Sequence, residues 1–293
     1  MKAFDIKKIL IPIDFSDTSM LAIEHAGFTA QLFKADLVLL HVIEKHWEQF
    51  SIVAPELRIS TPTELMNAIE KKLAGVAADI LKKYGVKTMH VVSTGNIFNE
   101  ILSVSKEHNV DLVVMGTHGT SGVVEFFIGS NTFKMVTQSE CPIISVQSHA
   151  KKLGFTNILL PIDDSAHSRQ KVNHAIVFAK HFASKIHILG LDDSSDETGR
   201  NKFEIKLDQI EEYIKKCDLP YSRKTVEGKN QSKTTYDYAK AVNADLIVIM
   251  TDQDEAITGR LMGTYAQQII NHSKIPVLTV QPTIANIPWV HPY

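Results

Sequence analysis

The chain has 293 residues, 44% hydrophobic and 22% charged, with a formal net charge of −2. That length is about twice a usual domain, so two domains are expected, and the composition excludes a largely disordered or low-complexity chain. The near-neutral charge argues against nucleic-acid binding through a broad basic surface. The only two cysteines, Cys141 and Cys217, exclude a disulfide framework and fit a reducing compartment.

The first residues, MKAFDIKKILIPIDF, carry spread charges and no long apolar run of the kind a secretory signal needs. The longest apolar stretches, such as Leu37 to Ile43 and Leu246 to Met250, fall well short of the roughly 20 residues of a membrane helix. The last residues, IPWVHPY, carry no lipidation or sorting motif. A soluble cytoplasmic protein with no membrane partner is expected.

In chain order, Lys8 to Ile13 is a β-branched apolar run and predicts a strand. Asp17 to Phe33 places Leu21, Ala22, His25, Phe28, Thr29 and Leu32 at helical spacing. Asp36 to Ile43 predicts the second strand. A longer helix is expected from Thr63 to Tyr84, entered after Pro62 and left at Gly85. Val86 to Ser93 predicts a strand, Asn96 to His108 a helix, and Asp111 to Met115 a buried strand. A glycine-rich loop follows, then a short helix from Ser130 to Gln138 and a last strand from Pro142 to Val146.

The chain then repeats itself. ILIPIDFS at Ile9 returns as ILLPIDDS at Ile158, an offset of 149 residues. NVDLVVM at Asn109 returns as NADLIVI at Asn243, and CPIISVQ at Cys141 as IPVLTVQ at Ile275, both at an offset of 134. A duplicated domain is the economical reading, with boundaries at 1–150 and 151–293 and a short linker from Lys151 to Phe155. The shortening of repeat 2 is expected after its second strand, opposite Glu44 to Pro62 of repeat 1. Strand–helix alternation with continuously apolar strands predicts an α/β fold. Each repeat should be a doubly wound parallel sheet with helices on both faces. Ligands of such sheets lie beyond the carboxyl ends of the strands, where the winding reverses. In repeat 1 that places candidates at Asp14 and at the loop beginning with Gly116.

Met115 to Ser130 reads MGTHGTSGVVEFFIGS and holds four of the chain's 14 glycines. A βα loop can need glycine merely to turn. Here Gly116, Gly119, Gly129 and Ser130 stand together at a strand–helix junction beside an acidic strand end, which points to anion binding. Glycine permits close backbone approach, and the free amides and dipole of a helix start favour negative charge. The Ser130 hydroxyl can cap the helix or meet a phosphate oxygen. Neither GxxxxGK(S/T) nor GxGxxG is present, so a P-loop or a dinucleotide fingerprint is not indicated.

The spacing G-x2-G-x9-G-(S/T) at Gly116, Gly119, Gly129 and Ser130 resembles the ATP-binding signature of the universal stress protein family. IPIDFSDTS, LLHVIE, DLVVMGTHG and CPIISV are similar to that family too, and the resemblance covers both repeats. It implies five-stranded sheets of order 3-2-1-4-5, with the last strands pairing the two repeats into an internal pseudo-dimer; a further homodimer is compatible with it. It also implies bound ATP in repeat 1. Asp14 and Val42 would flank adenine and ribose, with Met115 beside them and Gly116 against the ribose. Gly119, Gly129, Ser130 and Asn131 would hold the phosphates, and His118 stands where the family often has Arg or His. No Lys or Arg lies between Glu107 and Phe133, so a triphosphate would be held by amides, hydroxyls and a divalent cation, favouring Mg-ATP. No arginine is offered for fast phosphoryl transfer.

Repeat 2 departs from the pattern. Setting Gly263 and Thr264 on Gly129 and Ser130 puts Met250 at the Gly116 position and Gln253 at the Gly119 position. Asp252, Asp254 and Glu255 are opposed only by Arg260, and three carboxylates repel phosphate. Repeat 2 is therefore expected to bind ATP poorly or not at all, with Asp163 explained equally well as a cap before a helix at Ala166. Three functions are open: a nucleotide-responsive stress factor with an unidentified protein partner, a slow ATPase using His118 or Glu125 to position water, and a non-nucleotide interaction protein. No metal site is expected: His167, His174 and His181 share a helix face, but His25 occupies the His174 position in repeat 1, which suits a packed histidine. Cys141 reads as a buried structural thiol and Asp192 to Glu197 as a solvated acidic loop. Trp47, Phe50, Ile52 and Val53 read as filling the core of their own repeat, with a partner or lid surface as the alternative.

Overall fold

The computed structural model describes residues 4–44, 61–117, 129–165, 167–228, 230–251 and 263–282. His118, Gly119, Glu125, the four apolar residues of the repeat 1 insertion, and Asp252 to Arg260 lie outside the described residues. The chain divides into two compact units. One comprises Ile6–Met135 and Ile143–Leu153; the other runs from Gly154 and includes Met1–Asp5 and Val136–Pro142.

In the first unit, β1 (Lys8–Pro12), β2 (Asp36–Ile43), β3 (Thr88–Thr94), β4 (Leu112–Gly116) and β5 (Ile143–Val146) form a parallel sheet of order β3-β2-β1-β4-β5. Among the described residues four helices connect them: α1 (Asp17–Phe33), α2 (Pro62–Tyr84), α3 (Ile97–Glu107) and α4 (Ser130–Gln138). The second unit repeats the order. There β6 (Asn157–Ile162), β7 (Lys185–Asp192), β8 (Tyr221–Glu227), β9 (Leu246–Met250) and β10 (Val277–Val280) run β8-β7-β6-β9-β10, all parallel. Its helices are α5 (Val172–Phe182), α6 (Glu197–Lys216), α7 (Gln231–Ala241) and α8 (Thr264–His272). The expected doubly wound order is therefore present in both repeats.

The central strands are buried along almost their whole length, from Ile9 to Ile11 and from Leu112 to Met115, as expected where helices cover both faces. A carboxylate fixes the entry to each sheet. Asp111 accepts the amides of Lys7 at 2.8 Å and Lys8 at 3.0 Å. Asp245 accepts the Thr156 amide and hydroxyl and the Asn157 amide, at 3.0, 2.6 and 2.9 Å. Each Asp thus ties the start of the fourth strand to the start of the first, and both grow from the same Asn-x-Asp-Leu sequence.

Helix ends follow their sequence signals. Thr61 and Glu64 form a capping box with Pro62 at the first turn, and Gly85 ends α2 at φ 67°. Ser16 caps α1 by accepting the Ser19 amide. On α1, Gly27 lies under the Tyr84 ring, and a Cβ there would meet ring carbons at 2.6 Å. Packing of Tyr84, at the end of α2, against α1 therefore requires a glycine at position 27.

Two helix histidines, His25 and His174, behave as core residues; His181 is exposed, and His167 lies in a turn ahead of the helix rather than on its face. His25 is buried and donates from Nε2 to the Ala150 carbonyl at 2.6 Å. His174 packs on the Phe4 ring, centroids 4.2 Å apart, and burial pushes its pKa down to about 4. Among the described residues no group of three His, Cys, Asp or Glu is arranged to hold a metal, and no helix is long and apolar enough to cross a membrane. Two expectations change. Cys141 is half-buried rather than buried, with its amide and carbonyl both bonded to the Ser139 hydroxyl. Asp192 is not solvated: it is buried, accepts the Ser194 amide at 2.9 Å, and lies 3.5 Å from Arg200 Nε.

His174 makes the fold acid-sensitive. Neutral in the folded chain down to about pH 4 but with an ordinary value of 6.5 once unfolded, it contributes stability that is full above pH 6.5. That contribution, about 3 kcal/mol, is lost as pH falls from 6.5 to about 4. Denaturant unfolding of His174→Leu across this window should show a shallower loss than the unsubstituted chain; an equally steep profile would assign the effect elsewhere.

Candidate functional site

The site begins with a proline. Ile13 donates its amide to the Leu40 carbonyl of β2 at 2.7 Å. Alternate amides of a strand point to opposite neighbours, so position 12 faces β4. Pro12 has no N–H to give there. The β1–β4 pairing accordingly stops at Ile9↔Leu112 and Leu10↔Val113, while β1–β2 pairing continues to Pro12↔Leu40. The two strands separate at the point where the winding reverses, and a crevice at the carboxyl edge follows. Pro161 does the same in repeat 2, where β6–β9 pairing stops at Leu159↔Ile247.

Register then gathers the expected residues. Counting on from Pro12↔Leu40 puts Asp14 opposite Val42, and counting on from Leu10↔Val113 puts Gly116 opposite Ile13. Met115 is buried in β4 beside them, while Asp14, Val42 and Gly116 are half-buried at the edge. The Asp14 Oδ1 accepts the Ser16 amide at 3.0 Å and the Ser16 hydroxyl at 2.6 Å. Phe15 between them takes the left-handed φ of 62°, a conformation that costs a non-glycine residue about 1 kcal/mol or more and marks a constrained turn.

Gly116 has a structural reason of its own. A Cβ there would meet Thr18 Cγ2 at 2.9 Å and the Thr18 backbone carbon at 3.1 Å. Its bare Cα is what lets the first turn of α1 sit against the end of β4. Thr132 also donates its hydroxyl to the Gly116 carbonyl at 3.0 Å, tying α4 to the same point. Gly129 donates its amide to the Thr117 carbonyl at 2.8 Å, which closes the base of the loop. That amide is engaged, so the anion-facing donors are the amides after it. The first intrahelical bond runs from the Phe133 amide to the Gly129 carbonyl. The amides of Ser130, Asn131 and Thr132 have no intrahelical acceptor, and Ser130 is exposed.

A feature that sequence reasoning missed completes the edge. His41 donates from Nδ1 to the Ile13 carbonyl at 2.7 Å and stacks on Phe15, centroids 5.1 Å apart. Lys72 of α2 stands over the other side of the arrangement, its Nζ 3.9 Å from the Phe15 ring centroid. Burial pushes the His41 imidazole below its ordinary 6.5, against the pull of the Ile13 carbonyl and Asp14.

Repeat 2 has the same frame with different contents. Met250 replaces Gly116 and is buried. The helix after β6 begins late: α5 starts at Val172, and residues 167–171 form turns. Asp163 is thus no helix cap. It accepts the Ser165 amide at 2.9 Å beside Lys171, which is 3% exposed and donates to the Ser168 hydroxyl at 3.0 Å. Burial pushes the Asp163 carboxyl up, but the Lys171 ammonium, with Ser165 and Ser168, outweighs it and holds the group below its ordinary 3.8. Repeat 1 has Ala22 at the Lys171 position. The lysine was legible only as one more residue of a helical pattern.

The sequence profile of the universal stress protein family matches residues 5–147 and 154–281. The chain belongs to the universal stress protein family. A universal stress protein of Methanocaldococcus jannaschii is 29% identical over 153 residues, 94% of its own length and 48% of this chain. The universal stress protein YxiE of Bacillus subtilis is 32% identical over 148 residues, 98% of its length and again 48% of this chain. A solved universal stress protein from Archaeoglobus fulgidus shares the fold over 96% of this chain and 99% of its own, with a TM-score of 0.72 and 18% identity. Each of the two sequence relatives thus matches half of this chain, whereas the Archaeoglobus fulgidus structure matches it as a whole, as two tandem universal stress protein domains require.

Lys171→Met should cost about 1–3 kcal/mol in denaturant unfolding, because it removes a buried cation beside the half-buried Asp163 carboxylate. The acid limb checks the cause. The stability contributed by Asp163 is full above its ordinary 3.8 and lost as pH falls through its depressed folded value; Lys171→Met should lose this limb. An unchanged midpoint would show that the pair contributes nothing.

Proposed function

We propose that the protein binds one ATP, as Mg-ATP, in repeat 1 and acts in the cytoplasm as a nucleotide-responsive stress factor. The observation that carries this reading is the convergence at one crevice of Asp14, Val42, Met115 and Gly116 with the amides ahead of Phe133. An apolar strand edge suits a base, an Asp carboxylate suits ribose hydroxyls, and helix-start amides suit phosphates. The Ser130 hydroxyl would serve a phosphate oxygen or the metal, and the rest of the Mg2+ shell would come from phosphate and water. His118 and Gly119 would complete the loop.

Repeat 2 supports the count of one. Its carboxylate is already served by Lys171, and a buried Met250 stands where repeat 1 has Gly116. Binding in repeat 1 would act on a protein partner by population shift, which requires the nucleotide to bind one state of the partner surface better than another.

Denaturing freshly purified protein and identifying released nucleotide by chromatography tests the reading. About one ATP per chain is expected, with Mg-ATP titration of the emptied protein also giving one site. Two per chain would overturn the reading of repeat 2, and none, followed by no heat on titration, would overturn the nucleotide reading. A bulky residue at Gly119 should abolish uptake in a chain that remains folded.

A further inference from the structure

We propose that Lys72 is the cation that meets the anionic part of the ligand in repeat 1. The inference rests on the nucleotide reading above and names a residue outside the glycine loop.

The argument is a comparison of the repeats. Lys72 and Lys206 stand 134 residues apart, the offset that relates β4 to β9. At that offset the buried residues of α2 fall on those of α6: Ile69 on Phe203, Leu73 on Leu207, Ile80 on Ile214. The two lysines therefore leave equivalent helices at the same level and on the same side. Both reach the end of their first strand.

What they meet there differs. Lys206 Nζ donates to the Asp164 carboxylate at 2.9 Å and to the Asp164, Ser165 and Asp163 carbonyls at 2.7, 3.2 and 3.3 Å. Its position is thus within hydrogen-bond reach of oxygens at the strand end, and repeat 2 supplies the anion itself, from Asp164. In repeat 1 the residue equivalent to Asp164 is Phe15. Lys72 has only that ring beneath it, is exposed, and takes part in no ion pair among the described residues. A cation–π contact at an exposed site is worth about 0.5–1 kcal/mol and is readily exchanged for a phosphate.

The charge balance of the site points the same way. Asp14 contributes a negative charge to this edge, and the loop from Glu107 to Phe133 contributes no Lys or Arg. The Lys72 ammonium reaches this edge from α2, and its electrostatic effect is felt at His41. Repeat 2 closes the equivalent lysine on its own carboxylate; repeat 1, by replacing that carboxylate with phenylalanine, leaves the lysine for an anion brought in by the ligand.

The test is to titrate the full chain, stripped of nucleotide, with Mg-ATP and separately with adenosine, using the unsubstituted protein, Lys72→Met, Lys72→Arg and the neighbouring Lys71→Met. Lys72→Met should weaken ATP about five- to tenfold, as expected for loss of one charge-assisted bond, and leave adenosine within about twofold. Lys72→Arg should keep most of the ATP affinity, and Lys71→Met should match the unsubstituted protein. Equal ATP affinity in Lys72→Met, or equal losses for ATP and adenosine, would overturn the role of Lys72 while the nucleotide site stands. Failure of the unsubstituted protein to take up either compound would overturn the nucleotide reading and this inference with it.

Discussion

The missing amide of Pro12 is the constraint from which the site follows. A central strand of a parallel sheet normally bonds on both sides; this one stops bonding to β4 after Leu10 and continues with β2. The sheet opens at the one place where successive crossovers leave in opposite directions. Everything functional is then arranged around the opening: Asp14 past the end of β1, Gly116 at the end of β4, and α1 starting between them. The same IPID-type sequence opens the second sheet at Pro161. Asp111 and Asp245 hold the opposite end of each first strand, so the separation stays local to the carboxyl edge.

Two copies of one frame therefore differ by a few side chains. With Gly116, the start of α1 packs against β4 through Thr18 and the helix begins at Asp17. With Met250 in the corresponding place, the helix begins later and Lys171 caps it without any side-chain bond. Residues 167–171 form turns instead, and Ser168 and Lys171 lie inward beside Asp163.

The sheet order and nearly all element bounds were legible in the sequence because continuous apolar strands, capping residues and repeated landmarks agree with one another. Asp17–Phe33, Asp36–Ile43 and Ser130–Gln138 fall where periodicity sets them. The start of α5 was not legible, since Asp163 still reads as a cap before a helix at Ala166 and nothing in the local sequence delays the helix to Val172. Lys171 and Asp192 escaped because of their burial. Charged residues in a helix or loop read as solvated, and only tertiary packing shows which of them turn inward. The glycine of the candidate site was legible as a glycine, but its packing partner Thr18 was not, because β4 and α1 are distant in sequence.

The contrast between repeats is also thermodynamic. A tethered ammonium competes with any dissolved ligand at an effective concentration set by its short tether, in the millimolar range or above. Lys171 holds Asp163 from inside the core, where few waters screen the pair. A ligand entering repeat 2 would have to displace that cation and leave it buried and unpaired, a penalty of several kcal/mol before any new contact forms. Repeat 1 carries no such internal occupant at the Ala22 position. Its Asp14 carboxylate accepts the Ser16 amide and hydroxyl, and its strand-end lysine rests on a ring rather than on a carboxylate. The same fold thus presents one edge where a lysine meets a carboxylate of its own repeat and one where the equivalent lysine lies over the Phe15 ring.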